Sequence, residues 1–268
     1  MEKRNKNTEA KIRLLSNAKV NLALDILSAE KSGKFKGYHK IQTIIQEITP
    51  QNTAGFKPDI IEIEAEKAKK STVKTYSNVD SIPNENTISK AAKLILKKCK
   101  IPPHAIKITI TKNIPIASGL GGGSSNAAAV IKGLNHMFKL NLPVQKMREL
   151  AKEISMDTPF FITGGMALAE NFGEIITQLP PVKGLAFTIT TPKNRPLKNK
   201  TKSQYKKINL KKCGKNTSQT TALIHAIKTN DSLSIHSLLH NDFETLLKTP
   251  LQKNIHIVGA GPTTFILA

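Results

Sequence analysis

A glycine-rich run that begins at Gly119 and ends at Ser125 carries the clearest chemistry in this sequence. It lies between a predicted strand, residues 106–110, and a predicted helix, residues 127–134. Glycines let backbone N–H groups approach a polyphosphate closely, and a helix N-terminus supplies partial positive charge. The run lacks the Gly-Lys-Ser/Thr ending of a Walker loop and does not match the Rossmann spacing. A flexible linker is the alternative, but the position between a strand and a helix favours a phosphate-binding loop, and hence a kinase that uses ATP.

Asp157 and Lys19 are the candidate catalytic residues. Phosphoryl transfer to an alcohol needs a carboxylate that accepts or positions the hydroxyl proton, and a cation that balances the phosphate charge. By residue type alone, a helix cap before Thr158 and Pro159 is the commoner interpretation of Asp157, and a solvated strand lysine is the commoner interpretation of Lys19. Only the surrounding sequence can separate these interpretations.

No spacing of cysteines or histidines in the sequence predicts a metal site. Cys99 and Cys213 lie far apart, which fits neither a metal site nor a disulfide framework and indicates a reducing cytosol. The histidines, such as His104, lack the spacing of metal ligands. Residues 1–15 mix acidic and basic side chains without an apolar core, so we expect no targeting segment and a cytoplasmic protein.

The chain is strongly basic, with 41 Lys and Arg against 19 Asp and Glu and a formal charge of +22. Nucleic-acid binders usually concentrate such charge on one face and interleave it with stacking aromatic residues. Aromatic residues make up only 4% of this chain, and its lysines are spread along it. We therefore expect a solvated lysine-rich surface with no nucleic-acid partner, and a mobile loop at the densest basic stretch, residues 193–215. Because no long apolar run is present, we expect a soluble globular chain without a membrane partner.

Hydrophobic periodicity predicts sheets and helices in two domains. Apolar residues at every second position predict strands, and apolar residues at helical spacing predict helices. The predicted strands are residues 20–26, 41–48, 60–65, 106–110, 166–169, 174–179, 185–190, 255–258 and 263–267, and the predicted helices are residues 88–99, 127–134, 143–154, 218–228 and 233–247. On the first strand, Lys19 and Asn21 are expected to project away from the apolar side. A boundary near residue 165 divides the chain into domains 1–165 and 166–268.

Together with four further segments, the glycine-rich run resembles the GHMP kinase family. The segment Pro-Ile-Ala-Ser-Gly-Leu-Gly-Gly-Gly-Ser-Ser-Asn at 115–126, which contains the glycine-rich run, is similar to the family's ATP loop. The other segments are Ala-Lys-Val-Asn-Leu-Ala-Leu at 18–24, Gly-Tyr-His-Lys-Ile-Gln-Thr at 37–43, Asp-Thr-Pro-Phe-Phe at 157–161 and Gly-Ala-Gly-Pro at 259–262. In combination they are similar to the members that phosphorylate a methylerythritol alcohol joined to cytidine diphosphate, on the non-mevalonate route to isoprenoid precursors.

The resemblance implies an α+β, two-domain GHMP kinase fold, with an N-terminal ATP-binding domain like that of a ribosomal protein and a ferredoxin-like C-terminal substrate domain. It implies ATP as the cofactor, Mg²⁺ that arrives with ATP, no resident metal site, and a monomer or homodimer. It also implies one more helix after the predicted strand 263–267, to cover the sheet of the second domain. The implied ATP-binding residues are Pro115, Ile116, Ala117, Ser118, Gly119, Leu120, Gly121, Gly122, Gly123, Ser124 and Ser125.

The catalytic roles also follow from the resemblance. It implies that Asp157 takes the proton from the 2-hydroxyl of the substrate, while Lys19 holds that hydroxyl and the carboxylate in place. In the family a glycine and a small residue usually precede this aspartate, whereas Ser155 and Met156 precede it here. The segment 259–262 is implied to pack beside the ATP loop.

The resemblance likewise assigns substrate-binding residues. Tyr38 and His39 are implied to line the cytidine pocket, where stacking and hydrogen bonds to the base edge identify the base. Tyr205, four residues after Thr201, resembles the second aromatic residue that sandwiches the base. Asn21 is implied to hydrogen-bond the methylerythritol part.

Two other functions fit part of the sequence. Another GHMP kinase, such as a mevalonate or homoserine kinase, would share the ATP loop, but those loops normally read Gly-Leu-Gly-Ser-Ser and the Gly-Tyr-His segment is absent from those enzymes. A basic RNA-binding protein would fit the charge and the fold implied for the N-terminal domain. Such a protein has no need of a phosphate loop or of Asp157.

Overall fold

The computed structural model describes residues 10–79, 83, 85–192 and 200–268 of the chain. The strands are β1 (Ala10–Ser16), β2 (Ala18–Ala29), β3 (His39–Ile48), β4 (Asp59–Lys67), β5 (Thr72–Ser77), β6 (His104–Thr111), β7 (Met166–Asn171), β8 (Ile175–Leu179), β9 (Phe187–Thr190), β10 (His240–Asn241), β11 (His256–Ile257) and β12 (Thr264–Leu267). The helices are α1 (Thr87–Lys98), α2 (Gly122–Met137), α3 (Val144–Lys152), α4 (Thr158–Thr163), α5 (Lys200–Lys207), α6 (Thr217–Thr229) and α7 (Ser232–Ser237), with short 3₁₀ helices at Leu210–Lys212 and Asp242–Leu246. These elements confirm the predicted α+β class. Among them, no helix is long and apolar enough to cross a membrane.

The described residues form two compact units, each assembled from several segments of the chain. The first unit contains the described residues up to Asn17 together with Pro58–Ile114 and Gly122–Thr163. The second contains Ala18–Lys57, Pro115–Gly121 and Gly164–Ala268. The chain therefore crosses from the first unit to the second close to residue 165. The early segment Ala18–Lys57, however, also belongs to the second unit. The division into domains 1–165 and 166–268 stays a prediction.

The first unit contains a four-stranded sheet in the order β1-β4-β6-β5, antiparallel except for the parallel pair of β5 and β6. Alternate residues of β4, including Ile61 and Ile63, are buried, as the period of two predicts. Helix α2 approaches this sheet closely at Gly133, where a β-carbon would lie 2.7 Å from the side chains of both Ile63 and Leu14. Glycine at this position therefore lets the helix that follows the glycine-rich run pack tightly on the sheet.

The second unit contains a five-stranded sheet in the order β10-β2-β3-β7-β8 and a three-stranded sheet in the order β11-β12-β9. Strand β2 is antiparallel to β3 and parallel to β10. Residues 18–26 of β2 are all buried, so both faces of the strand are covered. Lys19 and Asn21, expected on the side away from the apolar residues, are each only 4% exposed. Polar groups buried in this way need partners within the protein.

Two predicted elements are wrong. Residues 233–247 do not form one helix, because α7 ends at Ser237 and β10 and a 3₁₀ helix follow it. The carboxylate of Asp242 accepts hydrogen bonds from the backbone N–H groups of Ile26 and Gly214, which holds this segment beside β2. The basic stretch 193–215, predicted as a mobile loop, contains α5 and the 3₁₀ helix Leu210–Lys212; its residues 193–199 lie outside the described part of the chain.

The other predicted elements are confirmed, with ends that differ by a few residues. Helix α1 begins after Asn86, whose side chain accepts hydrogen bonds from the backbone N–H groups of Ile88 and Ser89 and so caps the helix. The sequence patterns did not indicate β1, β5 and α4. Strand β5 contains no buried residue, so it lacks the apolar alternation by which strands are recognised.

Candidate functional site

The first part of the glycine-rich run packs against the second glycine segment within the same unit. Gly119 has φ +94°, and a β-carbon there would clash with the carbonyl oxygen of Val258. The structure thus places residues 259–262 beside the run, as the resemblance implied, and requires glycine at this contact. Ser118 is buried, and its hydroxyl donates a 2.8 Å hydrogen bond to the Pro115 carbonyl, which holds the bend of the run.

The other residues of the segment 115–121, which belongs to the second unit, differ in exposure. Leu120 is buried, and its carbonyl accepts a 3.0 Å hydrogen bond from the backbone N–H of Lys19. Gly121 is half-buried, whereas Pro115, Ile116 and Ala117 are exposed. This segment is therefore anchored at Ser118 and Leu120, and its exposed side chains are apolar.

In the first unit the run continues as the N-terminus of α2, which begins at Gly122. The hydroxyl of Thr87, the first residue of α1, donates a 2.8 Å hydrogen bond to the Gly123 carbonyl. The Ser16 hydroxyl donates to Ser125 Oγ at 2.7 Å, so Ser125 is engaged with the protein. Because the first N–H groups of an α-helix have no intrahelical partner, this end of α2 is suited to an anion.

A buried ion pair lies next to the first residue of α2. Lys112 Nζ pairs with the carboxylate of Asp59, and a β-carbon on Gly122 would lie 3.1 Å from that Nζ. Asp59 also accepts hydrogen bonds from the backbone N–H groups of Asn113 at 2.7 Å and Ile114 at 2.8 Å. Sequence reasoning missed Lys112 because nothing in its type separates it from the other lysines. Its charge adds to the positive potential at the helix N-terminus, and Asp59 offsets part of it.

Lys19 belongs to a chain of buried hydrogen bonds in the second unit. Lys19 Nζ donates to Asn21 Oδ1 at 2.6 Å, and Asn21 Nδ2 donates to Thr43 Oγ1 at 2.8 Å. Thr43 in turn donates to the Ala23 carbonyl at 2.6 Å. A β-carbon on Gly259 would lie 3.3 Å from Lys19 Nζ. The ammonium group is therefore fixed beside Gly259, and the side chain of Asn21 orients it.

Asp157 is half-buried in the first unit and directly precedes α4. None of the residues that the structure describes forms a hydrogen bond or an ion pair with its carboxylate. A capping aspartate would accept a hydrogen bond from the first turn of the helix, so the capping interpretation is not supported. Both carboxylate oxygens of Asp157 keep their capacity to accept protons or hydrogen bonds.

His39 and Tyr205, two of the predicted substrate residues, contact each other. Their rings stack with centroids 4.9 Å apart and an interplanar angle of 24°. Burial lowers the pKa of His39, and its Nδ1 is buried without a hydrogen-bond partner among the described residues. Tyr205 also meets the edge of Phe243 at 4.8 Å, which anchors α5 on the core of the second unit. Thr201, one turn earlier on α5, is exposed.

Tyr38, the other predicted cytidine contact, is 48% exposed. Its ring meets those of Phe35 and Phe172 edge-on, with centroids 5.7 Å and 5.8 Å away. Sequence reasoning missed both phenylalanines, since Phe172 comes from a segment far along the chain. They hold the tyrosine ring while leaving about half of the residue open to solvent, as a stacking residue requires.

A buried cluster of acidic residues and a histidine shares strand β2 with Lys19. Asp25 Oδ2 accepts a 2.6 Å hydrogen bond from Thr220 Oγ1 and lies 3.2 Å from His240 Nε2. Burial acts to lower the pKa of His240, but its hydrogen bonds to Asp25 and to the Leu238 carbonyl, with the charges of Asp25 and Asp242, raise it above the ordinary value. The sequence carries no local signal of this cluster, because its members meet only in the folded chain.

The chain is similar to known kinases over most of its length. Residues 86–165 match the family model of the GHMP kinases N terminal domain. The 4-diphosphocytidyl-2-C-methyl-D-erythritol kinase of Alkaliphilus metalliredigens is 32% identical to this chain over 273 residues, which cover 95% of this chain and 87% of that protein. The enzyme of the same name from Caldicellulosiruptor saccharolyticus is 37% identical over 85% of this chain and 73% of that protein.

Solved structures share the fold. A crystal structure of a 4-(cytidine 5'-diphospho)-2C-methyl-D-erythritol kinase superimposes with a TM-score of 0.67 at 24% identity, covering 96% of this chain and 90% of that one. A homoserine kinase from Cytophaga hutchinsonii superimposes with a TM-score of 0.69 at 18% identity, covering 100% of this chain and 87% of that one. These similarities confirm the predicted GHMP kinase fold.

Proposed function

The chain belongs to the family of 4-diphosphocytidyl-2-C-methyl-D-erythritol kinases, and from this we propose that it phosphorylates the 2-hydroxyl of 4-diphosphocytidyl-2-C-methyl-D-erythritol. The members of this family are ATP-dependent kinases, and the chain is an enzyme of this phosphotransferase class. The products are ADP and the 2-phosphate of the alcohol, a step on the non-mevalonate route to isoprenoid precursors.

The buried ammonium group of Lys19 is the observation that carries the proposal. A solvated strand lysine would keep its charged end in water, whereas Lys19 is 4% exposed and bonded to Asn21. Removing a charge from water is unfavourable by several kcal/mol unless other groups compensate it. Lys19 is held beside Gly259 and, through the Leu120 carbonyl, is tied to the glycine-rich run. A cation in that position is suited to an anionic group that undergoes phosphoryl transfer.

We assign the proton transfer to Asp157. As the 2-hydroxyl oxygen forms its bond to the γ-phosphorus and the bond to ADP breaks, Asp157 accepts the hydroxyl proton. The carboxylate of Asp157, which has no partner among the described residues, supports this role. Lys19 holds the hydroxyl and balances the negative charge of the phosphoryl group.

We assign the phosphates of ATP to the glycine-rich run. Gly119 and Gly121 have φ values of +94° and +73°, which turn backbone N–H groups in directions that other residues rarely allow, and the N-terminus of α2 adds partial positive charge. The described residues contain no group of three or more His, Cys, Asp and Glu side chains that could hold a metal ion. Magnesium bound to phosphates needs only one or two protein oxygens, so ATP can carry it to the site without such a group.

The aromatic residues of the second unit are assigned to the cytidine. The half-exposed ring of Tyr38 offers a stacking face, and Tyr205 offers a second one on α5. His39, neutral because burial lowers its pKa, has an Nδ1 atom available for the edge of the base. Thr201 is exposed one turn from Tyr205 and is assigned to the same ligand. Asn21 contacts the methylerythritol part while it orients Lys19.

A coupled assay of ADP release tests the proposed function. The purified chain is given ATP and Mg²⁺ with the cytidyl substrate, mevalonate, homoserine or no acceptor, and phosphorus NMR identifies the product. We expect turnover only with the cytidyl substrate, and phosphate on its 2-hydroxyl. Preferential turnover of mevalonate or homoserine would assign the chain to another GHMP kinase activity. Salt-sensitive RNA binding without kinase activity would instead favour the RNA-binding alternative.

We further propose that the enzyme works in the cytoplasm as a monomer or homodimer, without a nucleic-acid partner. Light scattering coupled to size-exclusion chromatography measures the number of chains in the particle. Cell fractionation with an antibody to the chain measures its location, and a particle larger than two chains would contradict the proposed assembly.

A further inference from the structure

Three hydroxyl groups of the first unit connect the glycine-rich run to the segment that carries Asp157. Ser124 Oγ lies 2.8 Å from Ser155 Oγ, and Ser155 Oγ lies 2.7 Å from Thr158 Oγ1. The resemblance to the GHMP kinase family implies that a glycine is usual at the position of Ser155, and glycine has no side chain to make this link. The connection depends on the hydroxyl of Ser155.

The buried end of this hydroxyl chain determines the direction of its first hydrogen bond. A hydroxyl group has one hydrogen to donate and two lone pairs. Thr158 is fully buried, and among the described residues its hydroxyl has Ser155 as its one partner. If Thr158 accepted from Ser155, its own hydrogen would be buried without an acceptor, which is unfavourable. Thr158 therefore donates to Ser155. Ser155 keeps its own hydrogen, and when that hydrogen is directed at Ser124 Oγ, the hydrogen of Ser124 is left for another acceptor.

We propose that Ser155 and Thr158 are positioning residues that make Ser124 a hydrogen-bond donor to a phosphate oxygen of ATP, and not a ligand of magnesium. The inference rests on the proposed binding of ATP by the glycine-rich run. Ser124 lies in the first turn of α2, where an anion is favoured. Because successive hydrogen bonds polarise one another, donation from Ser155 strengthens the donor capacity of Ser124.

Calorimetric titration of ATP into the full chain, without the acceptor alcohol, tests the inference. Ser155→Ala removes the link, Thr158→Val removes the buried donor while it keeps the side-chain shape, and Thr158→Ser is the matched control that keeps the hydroxyl. We expect the Kd for ATP to rise about three- to tenfold in the first two variants, the equivalent of one hydrogen bond, and to stay unchanged in the control. The Mg²⁺ concentration for half-maximal activity stays at the wild-type value.

A double-mutant cycle separates positioning from general support of the fold. In a Ser124→Ala background, Ser155→Ala should change the Kd for ATP no further, because Ser155 acts through Ser124. Fully additive losses, or an altered Mg²⁺ requirement with unchanged ATP affinity, would overturn the inference. If Ser155→Ala does not fold, Ser155→Gly, which also lacks the hydroxyl, replaces it. Wild-type protein that binds no ATP contradicts both this inference and the proposed function, whereas equal binding by wild type and all variants contradicts the inference alone.

Discussion

The backbone N–H of Lys19 donates a 3.0 Å hydrogen bond to the carbonyl of Leu120, so the strand that carries the buried ammonium group is joined directly to the glycine-rich run. The side chain of Lys19 then reaches Asn21 at 2.6 Å, beside the backbone of Gly259. A shift of any of these segments therefore moves the ammonium group. The geometry of the proposed phosphate loop and that of the proposed catalytic lysine are consequently coupled within one unit.

Gly259→Ala tests this coupling. The new β-carbon would lie 3.3 Å from Lys19 Nζ, at a residue with φ +54°. We expect a loss of stability of about 1–2 kcal/mol from the left-handed backbone, and a lower kcat because the ammonium group is displaced. Gly184→Ala is the matched control, since Gly184 has φ +78° and open space around it. Steady-state kinetics and denaturant unfolding measure both effects, and an equal fall of kcat in the control would show that backbone strain alone is responsible.

Asp157→Asn is expected to reduce kcat by about 10²- to 10⁴-fold, the range over which a positioned proton acceptor contributes. The amide keeps the size of the side chain but does not accept the hydroxyl proton, so the Kd for ATP should stay near the wild-type value. Rapid-quench kinetics and ATP titration measure the two quantities. Glu153→Gln is the control, because Glu153 forms an exposed ion pair with Lys98 near the same segment. Wild-type turnover in Asp157→Asn would remove Asp157 from the proposed role.

Tyr205→Leu is expected to raise the KM for the cytidyl substrate about tenfold and to leave the KM for ATP unchanged. The reason is that stacking between an aromatic side chain and a base contributes about 1–3 kcal/mol. Tyr76→Leu is a suitable control, since Tyr76 is 50% exposed on β5 of the other unit. Initial-rate measurements with each substrate varied in turn give both constants. A rise in the KM for ATP of the same size would place Tyr205 outside the cytidine contacts.

His39 predicts a pH dependence of substrate binding. Burial lowers its pKa, so the ring stays neutral at pH values somewhat below the ordinary histidine pKa of about 6.5. As the pH falls further, through the lowered pKa, the ring gains a proton and Nδ1 becomes a donor only. If the base offers that atom a hydrogen to accept, the KM for the cytidyl substrate rises in this acidic range. His39→Gln should abolish the rise, and a rise that persists in the variant would assign it to another group.

The ion pair of His240 and Asp25 predicts that the stability of the fold decreases as the pH rises. Because the folded-state pKa of His240 is raised, its contribution is fully present below the unfolded pKa of about 6.5 and is lost as the pH rises through the folded pKa. We expect His240→Gln to remove this dependence and to lower the free energy of unfolding by about 3–5 kcal/mol, since Asp25 is left buried without its charged partner. Urea unfolding at a series of pH values measures both. The exposed His225 offers the control His225→Gln, and equal pH profiles for wild type and His240→Gln would contradict the prediction.

Elements with one buried face were predictable from sequence. Residues 60–65 and 106–110 alternate cleanly because β4 and β6 each bury one side. Strand β2 is buried on both faces, so its polar residues gave no indication of their own burial. Residues 233–247 have helical spacing, but the contact that interrupts the helix joins Asp242 to Ile26 across 216 positions. No local pattern contains a contact of that range.

Some residues of the candidate site were likewise predictable from sequence, and others were not. The glycine-rich run and the segment around Asp157 are short, continuous patterns, so the order of residues along the chain is enough to recognise them. Thr43 supports Asn21, and Lys112 lies beside Gly122, only through tertiary contacts. Their residue types are common and their sequence neighbours are ordinary, so only the folded chain distinguishes them from other threonines and lysines.

Strand β2 lies parallel to β10, with Ala23 opposite His240, and this pairing has a consequence during protein synthesis. Asp25 and His240 are 215 positions apart, so a ribosome that adds about 5–20 residues per second needs about 10–40 s to make the partner of β2 after β2 itself has emerged. Through that interval one edge of the strand presents unpaired backbone groups to other nascent chains. The sheet of the second unit is therefore completed only after β10 has been made.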